Sequence, residues 1–200
     1  MDYPKPIKDL IEGYLTLPGI GKKTAERLAL FTFSEMNEDA TKRLGEAIIN
    51  VKNSLYRCPI CHNVSINEDA CEICSDTLRD HSLLMVVETI KDVFIMEKMQ
   101  EYKGLYHVLD GAINFAAGIG VEDININTLI KRIESGEVKE LIIATNATTE
   151  GETTARYIKA LLDDYDVYIS RIAHGLPFGA DISYADEMTL LKAIEGRRKY

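Results

Sequence analysis

Four cysteines carry the clearest chemistry in this chain. They stand as Cys58-Pro-Ile-Cys61 and Cys71-Glu-Ile-Cys74, two Cys-x-x-Cys pairs separated by nine residues, and they are the only cysteines in the sequence. Two short knuckles of this kind present four thiolates to one point, which suits the tetrahedral coordination of Zn²⁺. Four protein ligands leave no open position for water, so the expected ion is structural, one Zn²⁺ per chain held by Cys58, Cys61, Cys71 and Cys74. Binding of about 10–16 kcal/mol apparent can replace the core that so small a segment lacks. The nine-residue gap favours a small finger over a full zinc ribbon. His62 adjoins a ligand, but four cysteines already complete the set. A pair of redox disulfides is the weaker alternative, because a redox motif needs one Cys-x-x-Cys and not two.

A second constellation lies at Leu17-Pro18-Gly19-Ile20-Gly21-Lys22-Lys23-Thr24-Ala25. Apolar residues at helical spacing flank it: Ile7, Leu10, Ile11, Tyr14 and Leu15 before, Ala25, Leu28 and Ala29 after. This predicts helix, tight turn, helix, with backbone amides free at the start of the second helix to receive a phosphate. Lys22, Lys23 and Arg27 add charge there, so the expected ligand is the DNA backbone, bound without regard to sequence. A Gly-bent hairpin that docks another subunit is the plainer reading of the same residues. A phosphate-binding P-loop is not expected, since it needs glycine where Thr16 stands and Ser or Thr where Lys23 stands.

Charge narrows the location of any nucleic-acid contact. The chain of 200 residues carries a net charge of −9, but residues 1–57 hold nine Lys/Arg against eight Asp/Glu, and the remainder 14 against 24. Phosphate contact therefore belongs to the N-terminal quarter, and a patch so weakly basic implies several linked copies, hence an oligomer. The N-terminus lacks a basic-then-apolar signal and the apolar runs are too short to span a bilayer, which predicts a cytoplasmic protein that does not meet membrane.

The elements that must position these groups follow from periodicity. Leu44, Ala47, Ile48 and Val51 mark a third helix that leads into the cysteines. From Leu83 onward short apolar runs (Leu83 to Val87, Tyr106 to Leu109, Leu141 to Ala144, Val167 to Ile172) alternate with helical spacing, the pattern of a largely parallel sheet with crossover helices. A last helix runs from about Asp186 to Gly196, closed by the basic Arg197-Arg198-Lys199.

Acidic residues gather beyond two of those strands: Glu88 and Asp92 after the first, Glu150 and Glu152 after the third. The carboxyl ends of parallel strands are where α/β sheets place ligands. The arrangement resembles a Toprim domain, the Mg²⁺-binding fold of topoisomerases and primases, in which an Asp-x-Asp pair follows the later strand. Here those two positions are Asn146 and Thr148. Hard cations need carboxylate oxygens, so two-metal chemistry is not expected, although the four acids retain a weak capacity for Mg²⁺. A solvated rim and a partner-docking surface remain equally open for them.

The order of hairpin, four-cysteine finger, degenerate Toprim fold and Arg171-Ile172-Ala173-His174-Gly175-Leu176-Pro177-Phe178-Gly179-Ala180-Asp181 resembles the RecR family of bacterial recombination mediators across the whole chain. The block Met96 to Leu109 and the Glu-Gly-Glu at 150–152 add to it. The resemblance implies an α/β protein with small appended domains: helix-hairpin-helix over 1–56, zinc finger over 57–80, Toprim domain over 81–175 and a C-terminal helical oligomerisation segment over 176–200. It implies a nucleoid-associated, non-catalytic protein that joins RecO, and in some settings RecF, to load RecA onto single-stranded DNA at gaps. It implies a ring-like homotetramer in which Lys23 and Arg27 face DNA while Glu88, Asp92, Glu150 and Glu152 meet RecO. The chain departs from the family pattern where Asn146-Ala147, Asn114-Phe115 and Gly120-Val121 replace Asn-Pro, Ser-Pro and Gly-Pro, and where Lys22 replaces Pro, which loosens loops and adds a charge to the hairpin. His174 has no Ser, Cys or second His placed to make a catalytic dyad and is expected to be a turn residue at a subunit contact. The rival function is a Mg-dependent Toprim nuclease or primase-like enzyme.

Overall fold

The computed structural model describes every residue except Met1, His174, Pro177, Phe178, Arg198 and Tyr200, so the expectation for His174 lies outside the described residues. The chain forms two compact units, residues 1–55 and 56–200.

The first unit is three helices: α1 (Lys5–Leu15), α2 (Lys22–Ser34) and α3 (Glu38–Asn53). Ala25 and Ala29 on α2 are fully buried against Ile11, with Ile7, Leu10, Tyr14 and Ile20 packed around them. Two alanines at i and i+4 give α1 a smooth surface to approach, and Tyr14 Oη lies 3.0 Å from Thr32 Oγ1 across the same contact. Gly19 takes φ +78° in the connecting turn, a conformation that L side chains resist. Helix α3 begins on a capping Asn37, whose side chain accepts from the Ala40 amide at 2.8 Å, yet none of its residues is buried. Its apolar positions Leu44, Ile48, Ile49 and Val51 stay exposed.

The second unit begins with the finger: the two-residue strands β1 (Tyr56–Arg57) and β2 (Val64–Ser65), paired antiparallel, and the single turn α4 (Glu72–Ser75). A four-stranded sheet follows, built from β3 (Asp80–Val87), β4 (Gly104–Val108), β5 (Glu140–Ile143) and β6 (Tyr168–Arg171) in the order β4-β3-β5-β6, every neighbour parallel. Crossovers run through α5 (Ile90–Glu97), α6 (Ile126–Glu134) and α7 (Thr149–Leu161). Alternation along β3 divides the core, because successive side chains face opposite sides of a sheet. Leu84 and Val86 join Leu141, Ile143 and the buried stripes of α6 and α7, while Met85 and Val87 join Tyr106, Val108 and Val93 of α5. Helices thus cover both faces, as a parallel sheet requires. The strand order reverses between β3 and β5, which makes their carboxyl ends the switch point where ligands of open α/β sheets lie. The C-terminal helix α8 (Glu187–Glu195) is capped by Asp186, which accepts from the Thr189 amide at 2.9 Å. Gly196 closes it at φ −81°, and Arg197 Nη1 donates to the Ile194 carbonyl, so a cation and not a left-handed glycine ends this helix.

Candidate metal centre and nucleic-acid interface

The finger folds around its sulfurs. Cys58 N–H donates to the Asn63 carbonyl at 2.8 Å and His62 N–H to the Cys58 carbonyl at 3.0 Å, closing the first knuckle. His62 takes φ +60° at that turn. The second knuckle is α4, with Cys71 at its N-cap and its amide donating to Cys58 Sγ at 3.3 Å. The ligand atoms of Cys58, Cys61, Cys71 and Cys74 all lie within 4.8 Å of one another, and all four residues are buried. Cys61 and Cys71 Sγ stand 3.5 Å apart, far beyond the disulfide length of about 2.05 Å, and no cysteine is bridged. Hydrogen bonding to Cys71 pushes the Cys61 thiol far above the ordinary thiol range, and the same contact draws Cys71 down. Sulfurs packed this closely share protons unless a cation lets all four ionise, so the donor set and its spacing fit a bound metal ion.

The finger has no core of its own beyond these sulfurs, Ala70 and Ile73, and Ile73 also packs against both sides of the sheet's core. His62 is committed elsewhere: its Nε2 lies 2.8 Å from Thr128 Oγ1 and its ring meets His107 edge-on at 5.3 Å. The Val108 amide donates to the Cys61 carbonyl at 2.9 Å, and Arg57 pairs with Asp110 at 2.9 Å. The four-cysteine cluster is therefore tied to an edge of the Toprim sheet as well as to its own loops.

At the switch point the four acids have separate tasks. Glu88, at the end of β3, is buried and accepts from the Asn146 backbone amide at 2.8 Å and from its side-chain amide. Asp92 sits in the first turn of α5 and reaches back to its N-cap in a capping box, its Oδ2 accepting from the amide and hydroxyl of Thr89 at 2.8 and 2.9 Å. Glu150 and Glu152 lie half-buried in the first turn of α7, where the helix dipole favours them, and Glu152 pairs with Arg171 at 2.6 Å. Asp92 and Asn146 line one cavity of about 200 Å³ with Ile95, Met96, Thr145 and Ile172. Thr148 is the N-cap of α7 and accepts from Gly151 N–H at 3.1 Å. The two positions where a metal-binding Toprim carries aspartates are thus a donor to Glu88 and a helix cap, and they do not fit a divalent cation.

Arg171, at the end of β6, received no site role from sequence reasoning, although a cation at the carboxyl end of a parallel strand beside strand-end acids is a signal for one. Gly151 was also passed over. A Cβ there would meet the Asn146 carbonyl at 2.1 Å and Glu88 Oε1 at 2.8 Å, so this glycine lets α7 begin directly beneath the buried carboxylate.

In the first unit Lys22, Lys23 and Arg27 are exposed at the start of α2. The helix opens on Gly21, which offers no side chain to cap the first amides. Lys23 and Arg27, one turn apart, line a shallow cavity of about 510 Å³ with Tyr3, Glu26, Leu30 and Phe31, and Lys22 is not part of its wall.

Comparison with known proteins follows these divisions. The family model for the Toprim domain matches residues 82–173, that for "RecR, C-terminal" matches 175–198, and that for "RecR, helix-hairpin-helix" matches 7–52. The Recombination protein RecR of Enterococcus faecalis is 57% identical over 199 residues, covering 100% of both chains. The chain belongs to the RecR family. The RecR proteins of Latilactobacillus sakei and Limosilactobacillus reuteri are each 52% identical, over 100% and 98% of both chains. A RecR chain is what the order of motifs resembled, and the expected fold class holds: hairpin domain, four-cysteine cluster, parallel Toprim sheet and RecR C-terminal segment. The four cysteines fall between the RecR hairpin match and the Toprim match. Among the described residues, no helix is long and apolar enough to cross a membrane. Membership of RecR supports a role in recombinational repair.

Proposed function

We propose that this RecR protein is a non-catalytic DNA-binding mediator, acting in the cytoplasm at the nucleoid with RecO, and with RecF, to load RecA onto single-stranded DNA at gaps. The observation that carries this reading is the exposed, side-chain-free opening of α2 with Lys23 and Arg27 on one face, in a segment matched by the RecR hairpin model. Unsatisfied amides and two cations hold a phosphate and read no base edge, so binding is independent of sequence. Lys22 adds long-range attraction. One patch of this size holds DNA weakly, and linked copies in a ring-like homotetramer supply the rest. The uncovered apolar positions of α3 supply a surface for pairing hairpin domains, and the exposed Met188, Leu191 and Ile194 of α8 supply another for the C-terminal segment. Four cysteines hold one structural Zn²⁺ per chain, a borderline-soft ion that suits thiolate ligands. Glu88, Asp92, Glu150 and Glu152 mark the Toprim face that meets RecO, with Asp92, Glu150 and Glu152 more accessible than the buried Glu88.

The test is titration of single-stranded and gapped DNA against wild-type protein and K23A/R27A across salt concentrations. Loss of two phosphate contacts should weaken binding to all sequences alike and reduce the log–log salt slope by about 2. Unchanged binding by the variant would remove the hairpin from the DNA interface.

A further inference from the structure

Glu152 and the oxygens at the end of β5 form an oxygen-rich pocket of the kind a hard cation occupies, and Arg171 already fills it. Arg171 Nη1 donates to the Ile143 carbonyl at 3.2 Å and to Thr145 Oγ1 at 2.9 Å. Its Nη2 donates to the carbonyls of Thr145 and Asn146 at 3.1 and 3.4 Å and to Glu152 at 2.6 Å. Five oxygens from the end of β5 and the start of α7 therefore converge on one guanidinium. Beside it the Asn146 amide groups engage both oxygens of the buried Glu88. Gly151 leaves no room for a side chain beside the pair, since a Cβ there would press on both the Asn146 carbonyl and Glu88 Oε1.

We propose that Arg171, the counter-charge to Glu152, and the Asn146 amides, neutral donors to Glu88, together occupy this Toprim site: protein donors stand where a metal-dependent site would place a divalent cation, and they latch the ends of β3, β5 and β6 to the first turn of α7. This deepens the non-catalytic reading above and rests on it only for the statement that no metal chemistry is needed. A buried acid without a partner is costly, and an arginine fork satisfies several oxygens at once without depending on ion concentration. Thr148 completes the arrangement, since it caps α7 with a neutral hydroxyl where a carboxylate would add repulsion to Glu150 and Glu152.

Manganese binding followed by electron paramagnetic resonance, on zinc-loaded protein without DNA, tests the assignment separately from any mediator activity. Wild-type protein should bind no Mn²⁺ at the Toprim site. The triple variant N146D/T148D/R171M, which restores acids and removes the cation, should gain a single site per chain that E88Q abolishes. Mn²⁺ bound by the wild type and lost in E88Q overturns the proposal, as does a folded triple variant that binds none. Should the triple variant not fold, a double-mutant cycle decides. R171Q and E152Q should each lower the urea midpoint, and R171Q/E152Q should lose less than the sum of the two single losses. Additive losses would overturn the latch.

Discussion

The two places in this chain that look built for metal resolve the same physical problem in opposite ways. In the finger, four sulfurs within 4.8 Å of one another have few other donors to satisfy them, and the segment has almost no apolar core. At the Toprim switch point, Glu88 and Glu152 are satisfied by Asn146 and Arg171 and sit on a sheet with a full core on both faces. A cation is needed where burial leaves donors uncompensated and is redundant where the fold carries its own. Ligand-type residues in a cluster are thus only half of a metal site, and the competing donors around them are the other half.

The largest effect that separates the two regions should come from the cysteines. C71S should lose the metal and with it most of a contribution of about 10–16 kcal/mol apparent, unravelling the finger, and native mass spectrometry should show one zinc per wild-type chain and none in the variant. A wild-type chain without metal would break the comparison on its strongest side. Next, G151A should destabilise the second unit by about 3 kcal/mol through overpacking against Asn146 and Glu88, read as a shift in urea midpoint at constant slope. A neutral outcome would mean that the Toprim carboxylate is not held as tightly as argued.

A smaller effect follows from His107, which links the regions through its ring contact with His62. Burial pushes its imidazole down to about 3. The unfolded chain takes up that proton near pH 6.5 and the folded chain does not, so stability present above pH 6.5 is lost as the pH falls toward 3. Between pH 7 and pH 5 the loss from this group is about 2 kcal/mol. H107N should show a correspondingly flatter dependence of the urea midpoint on pH, and equal slopes would refute the assignment. Smallest in stability is K23A/R27A, which should stay within about 0.5 kcal/mol of wild type because both side chains are exposed. It serves as the control that DNA affinity can be lost while both candidate metal regions stay intact.

Much of the fold was legible because its signals are local. The four apolar runs became four parallel strands with edges moved by at most three residues, and the two Cys-x-x-Cys pairs did converge. The acidic residues were correctly read as strand-end groups, but not their partners. Arg171 lies 19 residues from Glu152, and the Glu88–Asn146 bond spans 58, so neither follows from spacing along the chain. The docking of the finger was equally hidden, since Ile73 is an ordinary apolar residue until the fold places it against three clusters. His62 looked like a spare ligand, and its bond to Thr128, 66 residues away, shows why local sequence misjudges it.

The most direct test of a metal-stapled, non-catalytic DNA binder uses labelled gapped DNA incubated with zinc-loaded protein and Mg²⁺ at low and moderate salt, resolved on one native and one denaturing gel. The account predicts a salt-sensitive shift on DNA that remains intact. Cleaved or extended DNA that disappears with E88Q would show an active Toprim site and contradict the roles given to Asn146 and Arg171.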